Sequence, residues 1–149
     1  MFEAVAPVSK DMESDLLSPV TAKRRWRAFE AETAHIANET NIRVGIAASF
    51  TANSLTPFIG SALLEAGFAP DVIIGEYDQI FQTCLDPETF FAKLPDVIVL
   101  LFRLEDLFAA EIDTFLVGNP DAMRLCEEKI DSLCGAIAQL RAGFAGTII

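Results

Sequence analysis

The chain has 149 residues, 52% of them hydrophobic, a mean hydropathy of +0.36 and a formal net charge of −11 at neutral pH. That length predicts one domain with an N-terminal extension, large enough to hold a core without disulfides or metals. The charge argues against a nucleic-acid partner, and no apolar run approaches the ~20 residues needed to span a bilayer, so no membrane segment is expected.

The charge is uneven. Residues 1–40 carry five basic and seven acidic side chains, whereas residues 41–149 carry six and fifteen. The first residues, MFEAVAPVSKDMESD, lack the basic and apolar regions of a secretory signal. The three cysteines show no CxxC spacing and read as buried free thiols in a reducing compartment, so a cytoplasmic location is expected. Residues 1–41 are expected to form an extension with one helix, and residues 42–149 an α/β domain.

Ser18-Pro19 offers an N-cap and a first-turn proline, and Val20 to Ala37 follows as a helix. Ala22, Trp26, Phe29 and Ile36 lie near one face. Lys23, Arg24, Arg25 and Arg27 occupy another, which is either a solvated surface or a basic docking patch.

Residues 42–48 (IRVGIAA) are an apolar run without polar alternation, as in a strand buried on both faces of a parallel sheet. A small-residue turn with Ser49, Thr51, Asn53 and Ser54 comes next. Thr56-Pro57 opens a helix with the stripe Leu55, Phe58, Ile59, Ala62, Leu63 and Ala66, closed by Gly67. Asp71 to Tyr77 is the second strand. Asp78 is placed to cap a short helix with Ile80, Phe81, Cys84 and Leu85 inside, and Asp86-Pro87 restarts the chain with Phe90, Phe91 and Leu94. Val97 to Phe102 is the third strand. Asn119-Pro120 is placed to cap the longest helix, with the stripe Met123, Cys126, Ile130, Leu133, Ile137 and Leu140, ended by Gly143. Thr147 to Ile149 begins a fourth strand.

The alternation predicts a doubly wound parallel sheet in three layers, strand order 2-1-3-4, with right-handed crossovers. The pattern stops as the fourth strand begins, so the domain is expected to be incomplete at its C-terminus. The resulting sheet edge, or the N-terminal helix, is expected to support a homo-oligomer.

Open α/β sheets place ligands at the carboxyl ends of their strands, where the order reverses. The crevice is therefore expected between Ser49-Thr51 and Arg103-Glu105. The candidate ligand-binding residues are Ser49, Thr51 and Asn53 after strand one, Tyr77 and Gln79 after strand two, and Arg103, Glu105 and Asp106 after strand three. Gln82 sits one helical turn beyond. A serine nucleophile needs a base, and His35 is the only histidine. The hydroxyls therefore read as turn and cap groups or as ligand contacts, with Ser49 the one candidate nucleophile. No glycine-rich nucleotide motif, zinc spacing or DxD loop is present, and no metal or cofactor is expected.

Three blocks, IRVGIAASFTANSL, GEYDQIFQTCLDPETF and PDVIVLLFRLEDL, resemble the N-terminal domain of FkbH-like proteins. The resemblance covers about residues 42–149, and the second block is the most specific. It implies an SGNH-hydrolase-like, flavodoxin-like domain. In that family it precedes a HAD-type phosphatase relative that moves a glyceryl unit from a phosphorylated three-carbon donor to a carrier-protein thiol in polyketide and nonribosomal peptide assembly lines. The implied partners are an acyl carrier protein or a downstream HAD domain. Ser49 falls where an SGNH enzyme keeps its serine, but Ala48 stands in place of the preceding aspartate, and no Asp-x-x-His block or HAD nucleophile loop is present. The resemblance thus implies a non-catalytic accessory domain that binds the carrier protein or its acyl unit. The alternative is an esterase or acyltransferase fragment using Ser49.

Overall fold

A computed structural model describes residues 18–32 and 40–149. Helix α1 (Pro19–Glu32) leads into strand β1 (Thr40–Ala48), a 3-10 turn (Asn53–Leu55) and α2 (Thr56–Glu65). β2 (Phe68–Ile74), α3 (Ile80–Leu85), α4 (Pro87–Phe90) and β3 (Val97–Leu101) follow. The chain ends through α5 (Leu104–Leu107), α6 (Ala109–Leu116), α7 (Ala122–Gly143) and β4 (Thr147–Ile148).

The four strands form one sheet in the order β2-β1-β3-β4, and every neighbouring pair is parallel. The α/β class and the order 2-1-3-4 are as expected. β1 is central and buried on both faces, because its side chains alternate between two helical layers. Val44, Ile46 and Ala48 face Leu55, Ile59 and Leu63 at and beyond the start of α2. Ala47 faces the other way, into a cluster with Ile80, Cys84, Phe91, Leu133, Ala136, Leu140 and Phe144. Gly45 gives this second layer room, since a Cβ there would lie 2.8 Å from the Phe91 ring and from Pro95.

The amino ends of the strands are tied by polar groups. Asp96 accepts the Arg43 N–H at 2.7 Å through its carboxylate, and its own N–H donates to Arg43 O at 2.9 Å. Thr147 N donates to Asp96 O at 3.0 Å. Arg43 Nε also meets Asp71 at 3.0 Å, its register partner on β2.

Helix α1 packs on α2 through Ala22 and Trp26, and Ser61 Oγ donates to Ala22 O at 2.8 Å. The Trp26 ring lies over Gly60, with Phe29 alongside at a centroid distance of 5.5 Å. The basic face is exposed, and Arg25 pairs with Glu65 of α2. Ile36, His35 and the end of the expected helix lie outside the described residues, as do residues 1–17.

Several expectations need correction. The second strand begins at Phe68 and ends at Ile74, three residues earlier than read. Gly67, at φ 83°, closes α2 so tightly that the chain is extended from the next residue onward. Asp78 does not cap α3: Gln79 is the N-cap, and Asp78 has a left-handed backbone at φ 56°. Asn119 does not cap α7 either. Its side chain accepts Asp121 N–H at 2.9 Å, and the helix starts at Ala122. The α7 stripe holds in part: Leu133 and Leu140 are buried and Ile137 packs against their cluster, but Ala122 and Ala136 are buried as well while Met123 and Ile130 are exposed. Leu85 and Leu94 are exposed, not internal. Of the three free cysteines only Cys84 is buried, and burial pushes its thiol up; Cys134 is exposed. Asp86 does cap α4, its carboxylate accepting Thr89 N–H.

A Cβ at Gly60 would come within 2.1 Å of the Trp26 ring. Gly60→Val gains ~0.5 kcal/mol of helix propensity but overpacks this contact at a cost of about 1–3 kcal/mol. The expected result is net destabilisation in urea together with a red shift of emission from Trp26, the only tryptophan. Unchanged stability and emission would refute the α1–α2 packing.

Candidate functional site

β1 ends in Ala47-Ala48 and is followed by Ser49, and these small residues let neighbouring backbone close around the strand end. Ser49 N donates to Leu101 O at 2.9 Å, which extends the β1–β3 ladder by one step. Asp78 N donates to Ala48 O at 3.0 Å, which holds the β2 exit loop over the same end. The left-handed Asp78 turns the chain from that bond into α3.

Ser49 is 4% exposed, and its hydroxyl both donates and accepts a hydrogen bond. Oγ donates to Asp106 Oδ2 at 2.8 Å and accepts the Arg103 N–H at 3.1 Å. The Arg103 guanidinium closes the circuit by gripping Asp106 with two bonds of 2.8 Å, and it lies 5.7 Å from the centre of the Phe50 ring. Such a fork-to-carboxylate pair is directional as well as attractive. It sits in the single turn of α5, where Asp106 and Leu107 both donate backbone N–H to Arg103 O.

These contacts hold the Asp106 carboxyl below the usual carboxylate range. The Arg103 hydrogen bond is the main cause and the Ser49 hydroxyl the second, while partial desolvation opposes them. A carboxylate so stabilised is a weak general base, because its affinity for a proton is spent on the guanidinium. Asp106 accepts the Ser49 hydroxyl as part of an arginine-paired anchor. No imidazole touches it among the described residues, and His35 lies outside them.

Beside this circuit is a cleft of about 330 Å³. Its polar lining comes from Ser49, Asp78, Gln82, Asp106 and Lys129, and its apolar walls from Ile80, Phe81, Phe102, Leu107 and Leu133. The structure thus brings Ser49, Arg103 and Asp106 into direct contact. Thr51, Tyr77 and Glu105 are exposed and are not among the cleft-lining residues. Gln79 is half-buried at the start of α3. Asn53 lines a separate, shallow cleft with Trp26 and Thr56. Lys129 was missed by sequence reasoning, although it lies four residues before Leu133 and seven before Ala136, on the inward face of α7. Among the described residues no group of His, Cys, Asp or Glu is arranged to hold a metal ion, and no helix is long and apolar enough to cross a membrane.

No family model matches the sequence, and no curated protein matches it. A solved structure does share the fold: the N-terminal part of protein BF1531 from Bacteroides fragilis, which contains a phosphatase domain and was solved as a complex with Mg. The two superpose with a TM-score of 0.65 at 16% identity, over 85% of this chain. The chain spans 31% of that neighbour's length. At this identity the likeness defines the class of protein, a parallel α/β domain of the kind found in that larger polypeptide.

Replacing Ser49 with alanine leaves the Arg103 N–H without its acceptor, at an expected cost of about 1–3 kcal/mol in a denaturant titration. A cost near zero would show that the circuit does not hold the strand end. The Asp106 contribution depends on pH. Its folded carboxyl lies below the unfolded value of ~3.9, so its stabilisation is complete above about pH 5 and is lost as the pH falls through the folded value. The stability advantage of the wild type over Asp106→Asn is therefore expected to be constant near neutrality and to shrink in acid. An advantage that grows in acid would contradict the assignment.

Proposed function

We propose that this chain is a non-catalytic accessory domain that works with a HAD-type phosphatase-related domain and binds an acyl carrier protein or its acyl unit, as in FkbH-like proteins of polyketide and nonribosomal peptide assembly. The observation that carries this reading is the closed circuit Ser49–Asp106–Arg103. Both hydrogen-bonding roles of the serine are occupied, and its carboxylate partner is neutralised by an arginine. Such a hydroxyl supports a cleft wall and does not attack an ester. The mixed lining of the cleft suits a small acyl group with polar substituents. The shared fold with part of a phosphatase-containing polypeptide supports a place beside such a domain.

The test has two arms. Isotope-labelled chain titrated with a carrier protein loaded with a glyceryl thioester is expected to show shifts at Gln82, Leu107 and Lys129. p-Nitrophenyl acetate is expected to turn over no faster with the wild type than with Ser49→Ala. Rapid turnover lost in Ser49→Ala would favour the esterase reading, and no shifts at any carrier-protein concentration would remove the accessory one.

A further inference from the structure

Among the described residues, α5, α6 and the start of α7 carry six of the thirteen large apolar side chains left in solvent. Leu104, Ile112, Phe115, Leu116, Val117 and Met123 are all exposed, Phe115 by 63% and Val117 by 81%. A patch of this kind on one face marks an interaction site. Between the helices runs an apolar groove of about 270 Å³, lined by Leu104, Phe108, Ile112, Phe115, Cys126 and Glu111.

Glu111 is the exception in that lining. Its side chain is 13% exposed, and Oε1 is 3.9 Å from Lys129 Nζ, too long for a hydrogen bond. Oε2 is buried and has no partner. A buried carboxylate oxygen without a donor is costly. What it lacks is a cation, or a strong N–H donor, delivered from the groove. Both groove walls are helices whose backbone bonds are internal, so an added strand would find no ladder there. A helix laid along the groove can insert side chains at i, i+3 and i+4. The chain's charge of −11 also favours a positively charged partner over a second copy.

We propose that this groove docks a cationic amphipathic helix of a partner protein. Its apolar side chains would seat against Phe108, Phe115 and Leu104, and one lysine or arginine would pair with the Glu111 carboxylate once the Glu111 side chain turns toward the groove. The site is separate from the Ser49 cleft and does not rest on the reading of that cleft.

The probe is a synthetic leucine–lysine amphipathic peptide of about 18 residues, long enough to hold a helix, with a twin in which every lysine is glutamate. The cationic peptide is expected to bind the chain with a salt-sensitive affinity. Glu111→Gln should weaken it about tenfold, and Glu88→Gln, an exposed change on α4, should leave it unaltered. Phe115→Asp is decisive because it adds negative charge. Groove docking predicts a loss of about tenfold or more, whereas diffuse charge attraction predicts a gain. A gain or no change with Phe115→Asp, or equal binding of the anionic twin, would overturn the proposal. It would also be overturned if sedimentation showed the chain self-associating and Phe115→Asp dispersing the assembly, since the groove would then belong to a second copy.

Discussion

The Ser49 hydroxyl is the constraint on which the working end of this molecule depends. It joins three things that the sequence keeps apart: the end of β1, the backbone at the exit of β3, and the carboxylate of α5. Only a small side chain with both a donor and an acceptor can do this at a position 4% exposed. An alanine would leave the Arg103 N–H unanswered. Because α5 is one turn long, its orientation comes from these polar contacts more than from its own backbone bonds.

The opposite end of the sheet is organised by the same logic with different groups. Asp96 bonds to β1 through its side chain and to β1 and β4 through its backbone, while Arg43 spans to β2. Between these two polar ends the sheet is held by apolar contact on both faces. This division explains why the strand order could be read from the sequence. β1 and β3 are nearly unbroken apolar runs flanked by turn residues, and a parallel sheet with helices on both faces is the arrangement that buries such strands. It also explains the error at β2. That strand lies at an edge, tolerates Pro70, and carries the exposed Asp71, so its start is marked by the conformation of Gly67 and not by hydrophobicity.

Residues 104–118 are assigned no element from the sequence, yet Leu104, Leu107, Phe108, Ile112, Phe115 and Leu116 recur at the three- and four-residue spacing of a helix, and α5 and α6 form there. On α7, Leu133, Ile137 and Leu140 follow the apolar stripe into the core, Ala136 lies among them, and Met123 and Ile130 are exposed. The cleft was legible only where its residues adjoin strand ends. Ser49, Arg103 and Asp106 sit immediately after β1 and β3, where topology alone puts them together. Lys129 arrives from the middle of α7, where it lies one turn before Leu133 and shares its side of the helix, a position that a search of strand ends does not reach. Thr51, Asn53, Tyr77 and Glu105 are near strand ends in sequence, but the turns carry them outward or to the α1 side.

Glu111 and Lys129 stand between the two concave features. Lys129 lines the Ser49 cleft, Glu111 lines the apolar groove, and they face each other across α6 and α7 at 3.9 Å. A cation placed on Glu111 from the groove competes with Lys129 and leaves its ammonium freer to meet an acidic group in the cleft. By reciprocity, an anion in the cleft that engages Lys129 leaves Glu111 more in need of a cation. The size of this coupling is bounded by what the pair itself is worth. Lys129 is more than a third exposed and the separation is long, so the pair contributes no more than about 1 kcal/mol. That limits mutual enhancement to roughly fivefold. With the proposed helix and an anion both bound, this local charge rearrangement would favour joint occupancy without movement of the sheet or helices.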